Sequence, residues 1–257
     1  MLKVRVVKLG GNELDRPEWL AACADALKPL EPVVVVHGGG RAVTALSRRL
    51  GLPVEQRDGL RVTTPEVAEV VEMVLAGPAN RAVVAALRAV GLDAIGLSGV
   101  DGGLLTAQPS AAALGHVGEI TAVRASLLES LLLAGLTPVV APVAPVAPAA
   151  GREGVPLNVN ADHAAAAIAA ALRAKELLYV SDVPGVVVDG DAQDSVATSD
   201  IEALIELGVA TDGMATKLRA GAAALQTGAQ AVRIGNLHLL GHPTAGTRLL
   251  AATPQPA

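Results

Sequence analysis

Short apolar runs that close on glycine or a polar residue, separated by longer helical stretches, restrict this chain more than any other feature. The runs lie at 4–9, 32–36, 94–97, 136–140, 177–181 and 231–234, and most are continuously apolar rather than alternating. That pattern belongs to strands covered on both faces, because a half-exposed strand would show polar residues at every second position. Helical periodicity fills the gaps near 17–29, 41–50, 65–90, 122–134, 161–173, 199–207 and 214–227. Gly91, Gly135, Gly208 and Gly228 follow helix ends, where a left-handed cap is wanted. Strand alternating with helix predicts an α/β chain: a three-layer α/β/α sandwich with a mainly parallel central sheet. Residues 103–121 break the rhythm and read as a hairpin laid on the main sheet. A second portion begins after the Ala-rich helix, which divides the chain into 1–173 and 174–257.

Composition excludes several roles. The chain is 51% hydrophobic but only 1% aromatic, with Trp19, Tyr179 and no Phe, so Val, Leu, Ile and Ala must fill the core. So few rings argue against base-stacking platforms for nucleic acid. A net charge of −5 without a basic block argues against nucleic-acid or anionic-membrane partners. Cys23 stands alone, which rules out an intramolecular disulfide and fits a reducing, cytoplasmic setting. The opening "MLKVRVVKLGG" alternates charge with valine and is not a signal peptide. Residues 131–150 carry no charge and are long enough to span a membrane. Gly135, Pro138, Pro142, Pro145 and Pro148 interrupt them, so they read as a helix end, a strand at 136–140 and a Pro/Ala loop at 141–150. A soluble protein is expected.

In open α/β sheets ligands bind outside the carboxyl ends of the strands, and four such ends carry unusual residues. They are "KLGG" from Lys8, "HGGG" from His37, "GLSG" with Asp101, and "SDVPG" from Ser181. Glycine lets backbone N–H groups approach an anion, and a following helix adds its positive end. A tight turn is the plainer reading of each stretch. Neither Gly-rich turn is a P-loop or a dinucleotide fingerprint, because the lysine precedes the glycines and the later glycine is missing. Lys8 sits among valines, where a buried ammonium needs an anion unless it snorkels outward. Arg61 precedes a helix capped by Thr63 or Thr64, with Pro65 in its first turn. Its fork suits a carboxylate, a surface salt bridge being the alternative. Asn158, Asn160 and Asp162 open an Ala-rich helix. Capping accounts for one of them, and Asp162 could hold two lysines. Lys217 is expected in the first turn of a helix near 214, a poor place for a cation unless an anion lies there. His37 reads as a supporting side chain and His163 as a helix-surface residue. The five histidines show no metal-ligand spacing. No nucleophile-and-base pair stands out. Two lysines, several glycine amides and an aspartate suit charge stabilisation in phosphoryl transfer.

These residues, in this order, resemble the amino acid kinase family, and within it the short bacterial acetylglutamate kinases. The resemblance runs from "KLGG" through "HGGG", "GLRVT", "VEMVLAGPANRAVV", "IGLSGVDG", "GHVGEI", "LNVNADHAA", "SDVPGV" and "TDGMATK" to "AGTRLL". It implies the amino acid kinase fold and ATP-dependent phosphorylation of the side-chain carboxylate of N-acetyl-L-glutamate, a step of arginine biosynthesis. It implies that Lys8 and Lys217 flank the transferring phosphoryl group, that Gly11, Gly39 and Gly40 donate amides, and that Asp162 orients the lysines. Gly39, Gly40, Arg61 and Asn158 would hold the amino-acid substrate. Lys8, Gly10, Gly11, Ser181, Asp182, Met214 and Lys217 would surround ATP, which enters with Mg²⁺; no prosthetic group is implied. The first portion would bind substrate and dimerise, and the second would bind ATP.

The match is weak over "NLHLLGHPTAGTRLL", and the Pro/Ala loop is unusual. The resemblance also implies a homodimer without arginine feedback, since arginine-inhibited members carry a helix before the first strand. Two rivals share the fold: a kinase acting on carrier-linked aminoadipate in lysine synthesis, and an idle ligand-sensing member. "GLRVT" and "GHVGEI" favour the acetylglutamate branch, and no basic patch suits an acidic carrier. Both lysines are present, which argues against an idle member.

Overall fold

The computed structural model describes residues 2–10, 13–57, 59–146 and 156–251. Eight strands form the central sheet: β1 (Arg5–Leu9), β2 (Val33–His37), β3 (Ala94–Ser98), β4 (Thr137–Ala141), β5 (Glu176–Val180), β6 (Ser195–Ala197), β7 (Val232–Gly235) and β8 (Thr247–Leu250). Their order is β6-β8-β7-β5-β1-β2-β4-β3. Every pair is parallel except β7–β8. β1 lies at the centre, in five-residue register with β2 on one side and β5 on the other.

The period of a strand sorts its side chains between two cores. Val6, Val34, Val36, Val140, Leu177, Tyr179 and Ile234 face α5 (Ala125–Leu133), α6 (Ala161–Ala171) and α8 (Asp212–Thr227). Val7, Leu9, Val33, Val35, Val139, Leu178 and Val180 face α1 (Pro17–Leu27), α4 (Asn80–Ala89) and α9 (His238–Gly241). Cys23 is a buried member of this second core. The layers are helix, sheet, helix, as the apolar runs predict. A smaller core joins α2 (Gly40–Arg49) to α3 (Pro65–Val74) beside the end of β4.

The six predicted strands and most helices stand within a residue or two of their expected places. Gly91, Gly135 and Gly208 end helices with φ of +90°, +77° and +71°, as the caps require. Five expectations need correction. The helix expected at 65–90 breaks into α3 and α4 at a π-turn, Leu75–Ala79, because Pro78 offers no N–H and Gly77 leaves helical geometry. The helix expected from 122 begins at Ala125, since Val117–Val123 continues as a strand. That strand and Leu105–Pro109 do form a hairpin. It belongs to a separate four-stranded sheet with Leu157–Val159 and Val143–Ala144, packed beside α6. The start of the Pro/Ala loop is therefore strand, while its residues 147–150 lie outside the described ones. Lastly, α8 begins at Asp212, which moves Lys217 into its second turn.

Residues 131–150 contain the end of α5, Gly135 and β4, not a continuous helix. By length and hydropathy Pro65–Ala89 could cross a membrane, but Val67, Val70, Val71, Val74, Val83 and Leu87 are buried within the protein. The sheet runs unbroken through the β1–β5 pairing, on either side of the division expected at residue 173.

Candidate active site

The carboxyl ends of β1, β2 and β5 open into one cleft of about 300 Å³. Lys8, Gly10, Gly38, Gly39 and Gly40 line it from β1 and β2, and Ser181 and Asp182 from β5. Arg61, Asn158, Asp162 and Lys217 reach it from the surrounding elements. Residues separated by some two hundred positions thus meet at the edge where sheet topology favours ligands.

At its floor Asp162 sits between two lysines. Lys8 Nζ lies 2.7 Å from Oδ1 and Lys217 Nζ 3.6 Å from Oδ2. Strand alternation turns Lys8 toward the α6 face, where Asp162 occupies the first turn of that helix. Asn160 caps α6, its Oδ1 accepting from the N–H groups of Asp162 and His163. Capping thus explains Asn160 and leaves Asp162 for the lysines, while His163 is exposed. Tyr179, fully buried on β5, donates its hydroxyl to the Asp162 carbonyl at 3.0 Å and holds the helix start against the sheet. Burial pushes the Asp162 carboxyl up, but the Lys8 and Lys217 charges outweigh it and hold it below the usual carboxylate range. Burial lowers the Lys217 ammonium despite the pull of Asp162, and the Lys8 charge adds to that lowering. Lys217 also donates to the Gly213 carbonyl at 3.1 Å. Two cations on one carboxylate leave an excess positive charge facing the cleft, which suits a polyanion.

The glycines divide by whether their amides are free. Gly10 N–H donates to the Val180 carbonyl at 2.9 Å, and Gly38 N–H to the Leu9 carbonyl at 3.2 Å. Both amides are spent on the sheet, so Gly10 contributes close approach rather than a donor: a Cβ there would stand 3.1 Å from the Val180 carbonyl oxygen. Gly39 and Gly40 are the cap and first residue of α2, whose leading N–H groups have no partner within the helix. Gly11 lies outside the described residues. His37 is fully buried behind this turn, with Nδ1 2.8 Å from the Gly38 carbonyl and Nε2 3.1 Å from Asn80 Nδ2. Burial lowers its pKa from 6.5 to about 4, so the ring is neutral.

On the α2 side, Arg61 Nη2 donates to the Gly40 carbonyl at 2.9 Å and to Thr44 Oγ1 at 2.7 Å. Its Nη1 is buried without a hydrogen-bond partner among the described residues. An unpaired guanidinium donor at a cleft wall fits a ligand carboxylate. Asn158 Nδ2 donates to Thr63 Oγ1 at 3.1 Å. It is Thr64 that caps α3, accepting from Val67 N–H at 3.3 Å. Ser98 bonds Asp101 and shapes its own turn. Met214 packs against the core around α8 and is not among the residues lining this cleft. Ser181 and Asp182 do line it. Sequence reasoning missed Asn80, Thr44 and the roles of Thr63 and Tyr179. The Gly-Pro pair ahead of Asn80 is the one signal that could have flagged it, since it ends a helix and reopens another.

Comparison with known proteins follows the same lines. Residues 3–236 match the model of the amino acid kinase family. The chain is 46% identical over 252 residues to an acetylglutamate kinase of Chloroflexus aurantiacus, covering 96% of this chain and 97% of that one. It is 45% identical over 245 residues to the acetylglutamate kinase of Methanopyrus kandleri, covering 91% and 95%. Among solved structures, smu.665 from Streptococcus mutans UA159 superposes with a TM-score of 0.85 at 27% identity, covering 98% of this chain and all of that one.

Proposed function

The chain belongs to the amino acid kinase family, and on that premise we propose that it phosphorylates the side-chain carboxylate of N-acetyl-L-glutamate with ATP. The near end-to-end identity to proteins named acetylglutamate kinase carries the reading. An oxygen of the substrate carboxylate attacks the γ-phosphorus, the new O–P bond forms as the bond to ADP breaks, and an acyl phosphate leaves with ADP. No protein nucleophile is required. Lys8 and Lys217 neutralise the charge on the transferring group, Asp162 fixes both ammonium groups, and the Gly39 and Gly40 amides donate to its oxygens. Arg61 Nη1 takes the α-carboxylate, with Asn158 beside it. ATP enters as its Mg²⁺ complex, the ion carried by the phosphates; among the described residues no group of three His, Cys, Asp or Glu could hold a metal. The β5 side, with Ser181 and Asp182, takes the nucleotide. A homodimer is part of the proposal, supported by Met73, an apolar side chain more than half exposed on α3, and by the edge position of β3.

A coupled ADP-release assay with N-acetylglutamate, glutamate and an N-acylated aminoadipate tests the substrate. Turnover is expected with N-acetylglutamate, trapped by hydroxylamine as the hydroxamate. Turnover confined to the aminoadipate derivative, or ADP release indifferent to acceptor, overturns it. Lys217→Ala should lower kcat by about 100-fold or more, with the KM for N-acetylglutamate within about threefold, since this cation acts on charge that develops in transfer. Survival of kcat in that variant would remove Lys217 from the mechanism.

A further inference from the structure

The proposed mechanism asks the Gly39 amide to face the cleft, yet nothing in a Gly-Gly-Gly run fixes the tilt of its peptide planes. Glycine tolerates either orientation of a flanking peptide, so such a turn can flip. We propose that His37, locked in one tautomer by Asn80, is a positioning residue that aims the Gly39 N–H at the transferring phosphoryl group; the inference rests on the phosphoryl-transfer reading above.

The tautomer follows from the surroundings of Asn80, fully buried at the start of α4. Its Nδ2 lies 2.9 Å from the Val139 carbonyl and 3.4 Å from the Leu97 carbonyl. An amide oxygen in that place would face two carbonyl oxygens, so the nitrogen belongs there. The same nitrogen approaches His37 Nε2 at 3.1 Å and must donate to it, which leaves Nε2 bare. The ring proton therefore sits on Nδ1, where it donates to the Gly38 carbonyl at 2.8 Å. Across a trans peptide the C=O of one residue and the N–H of the next point in opposite directions. Holding the Gly38 carbonyl toward the buried ring thus turns the Gly39 N–H away from it, to the side on which Gly38, Gly39 and Gly40 line the cleft. The arrangement is kept at a cost. Asn80 Oδ1 is buried without a partner among the described residues, wedged against Gly96, where an added Cβ would fall within 1.9 Å of it.

Two substitutions separate positioning from packing. His37→Asn keeps a donor near Nδ1, whereas His37→Gln carries its amide nearer Nε2 and loses the bond to Gly38. Filling of space alone ranks the larger Gln above Asn. Positioning ranks them the other way for kcat: a loss within about tenfold for H37N and about 100-fold for H37Q, the scale of losing one oxyanion donor. Both KM values should move less than about threefold, and thermal midpoints recorded in parallel should favour H37Q. A kcat for H37Q equal to or above that of H37N overturns the inference. If H37N does not fold, long-range ¹H–¹⁵N spectra of the wild-type ring decide, and protonation at Nε2 overturns it equally. Wild-type protein that fails to turn over N-acetylglutamate would instead overturn the substrate assignment, and the ring spectrum would still read the positioning.

Discussion

Thr63 shows how a single hydroxyl can serve two binding groups. It is fully buried, donates to the Arg61 carbonyl at 3.0 Å and accepts from Asn158 Nδ2 at 3.1 Å. Because the hydroxyl proton is committed to Arg61, Asn158 must offer its nitrogen to Thr63, which turns Oδ1 away as an acceptor. The amide N–H of an acylated amino group is a matching donor. Thr63→Val keeps the shape and removes both bonds, so the KM for N-acetylglutamate should rise about tenfold, near the worth of one or two hydrogen bonds, while the KM for ATP stays within about twofold. Steady-state kinetics with each substrate varied checks this, and equal rises would show general loosening instead. His37 carries a second prediction at this scale. Its pKa falls from 6.5 to about 4 in the fold, so between those values the unfolded chain binds a proton that the folded chain refuses. Stability is then full above pH 6.5 and falls as pH drops toward 4, by about 3 kcal/mol over the whole window. Asp162, held below the usual carboxylate range, loses its contribution only at still lower pH. Urea midpoints at pH 7 and pH 4.5 should separate more in wild type than in H37Q, and parallel behaviour would deny His37 this part.

The break between α3 and α4 does for the site what an unbroken helix could not. Pro78 and Gly77 reset the helix so that Asn80 points into the layer between α4 and the sheet. The Cβ of an alanine at 96 would fall within 1.9 Å of Asn80 Oδ1 and 3.1 Å of Arg81 Nη1. Gly96→Ala must therefore expel an amide whose two N–H groups are both hydrogen-bonded in the interior, costing about 2–4 kcal/mol and lowering kcat along with H37Q. Thermal or urea unfolding would measure the first effect; a neutral change would mean that Asn80 is not wedged as described. The same segment shows where sequence reading stops. The strands were legible because double burial writes itself as unbroken valine, and Lys8, Asp162 and Lys217 because charge is rare in such surroundings. Asn80 was not, because a polar residue inside an amphipathic stretch carries no mark of which face it will take once the helix is reset. Gly10 is ambiguous in sequence for a related reason. Glycine in a turn signals a close backbone approach, but the sequence does not say what is approached: Gly10 lines the cleft while its N–H goes to the Val180 carbonyl. Lys217 fell a turn later than expected, and its bonds to Asp162 and Gly213 account for it better than the helix end does.

At the scale of the molecule, the cleft exists only when both expected portions are folded together. Lys8 and Asp162 come from before residue 173 and Lys217 from after it, yet one carboxylate joins both lysines. The joint between the portions is the centre of the sheet. β1 and β5 pair over five residues, Gly10 N–H reaches Val180 and Lys175 N–H reaches Val4. Splitting the portions would strip β1 of a parallel neighbour and expose the apolar faces of both strands, so neither part can unfold while the other stays native. The chain carries reporters for this. Its one Trp, Trp19 on α1, packs against the core around Leu9 and Val35. Its one Tyr, Tyr179 on β5, is buried in the opposite core under α6. Each side of the expected division, and each face of the sheet, therefore has its own chromophore. Trp19 fluorescence and Tyr179 absorbance followed through urea should trace one transition with a common midpoint and slope, as two-state unfolding requires. Saturating ATP should move both curves together, because a ligand of the native state stabilises every part that must be folded to bind it. A Tyr179 signal that melts first, or responds to ATP alone, would show that the second portion is an independent unit and that the sheet yields at the β1–β5 joint.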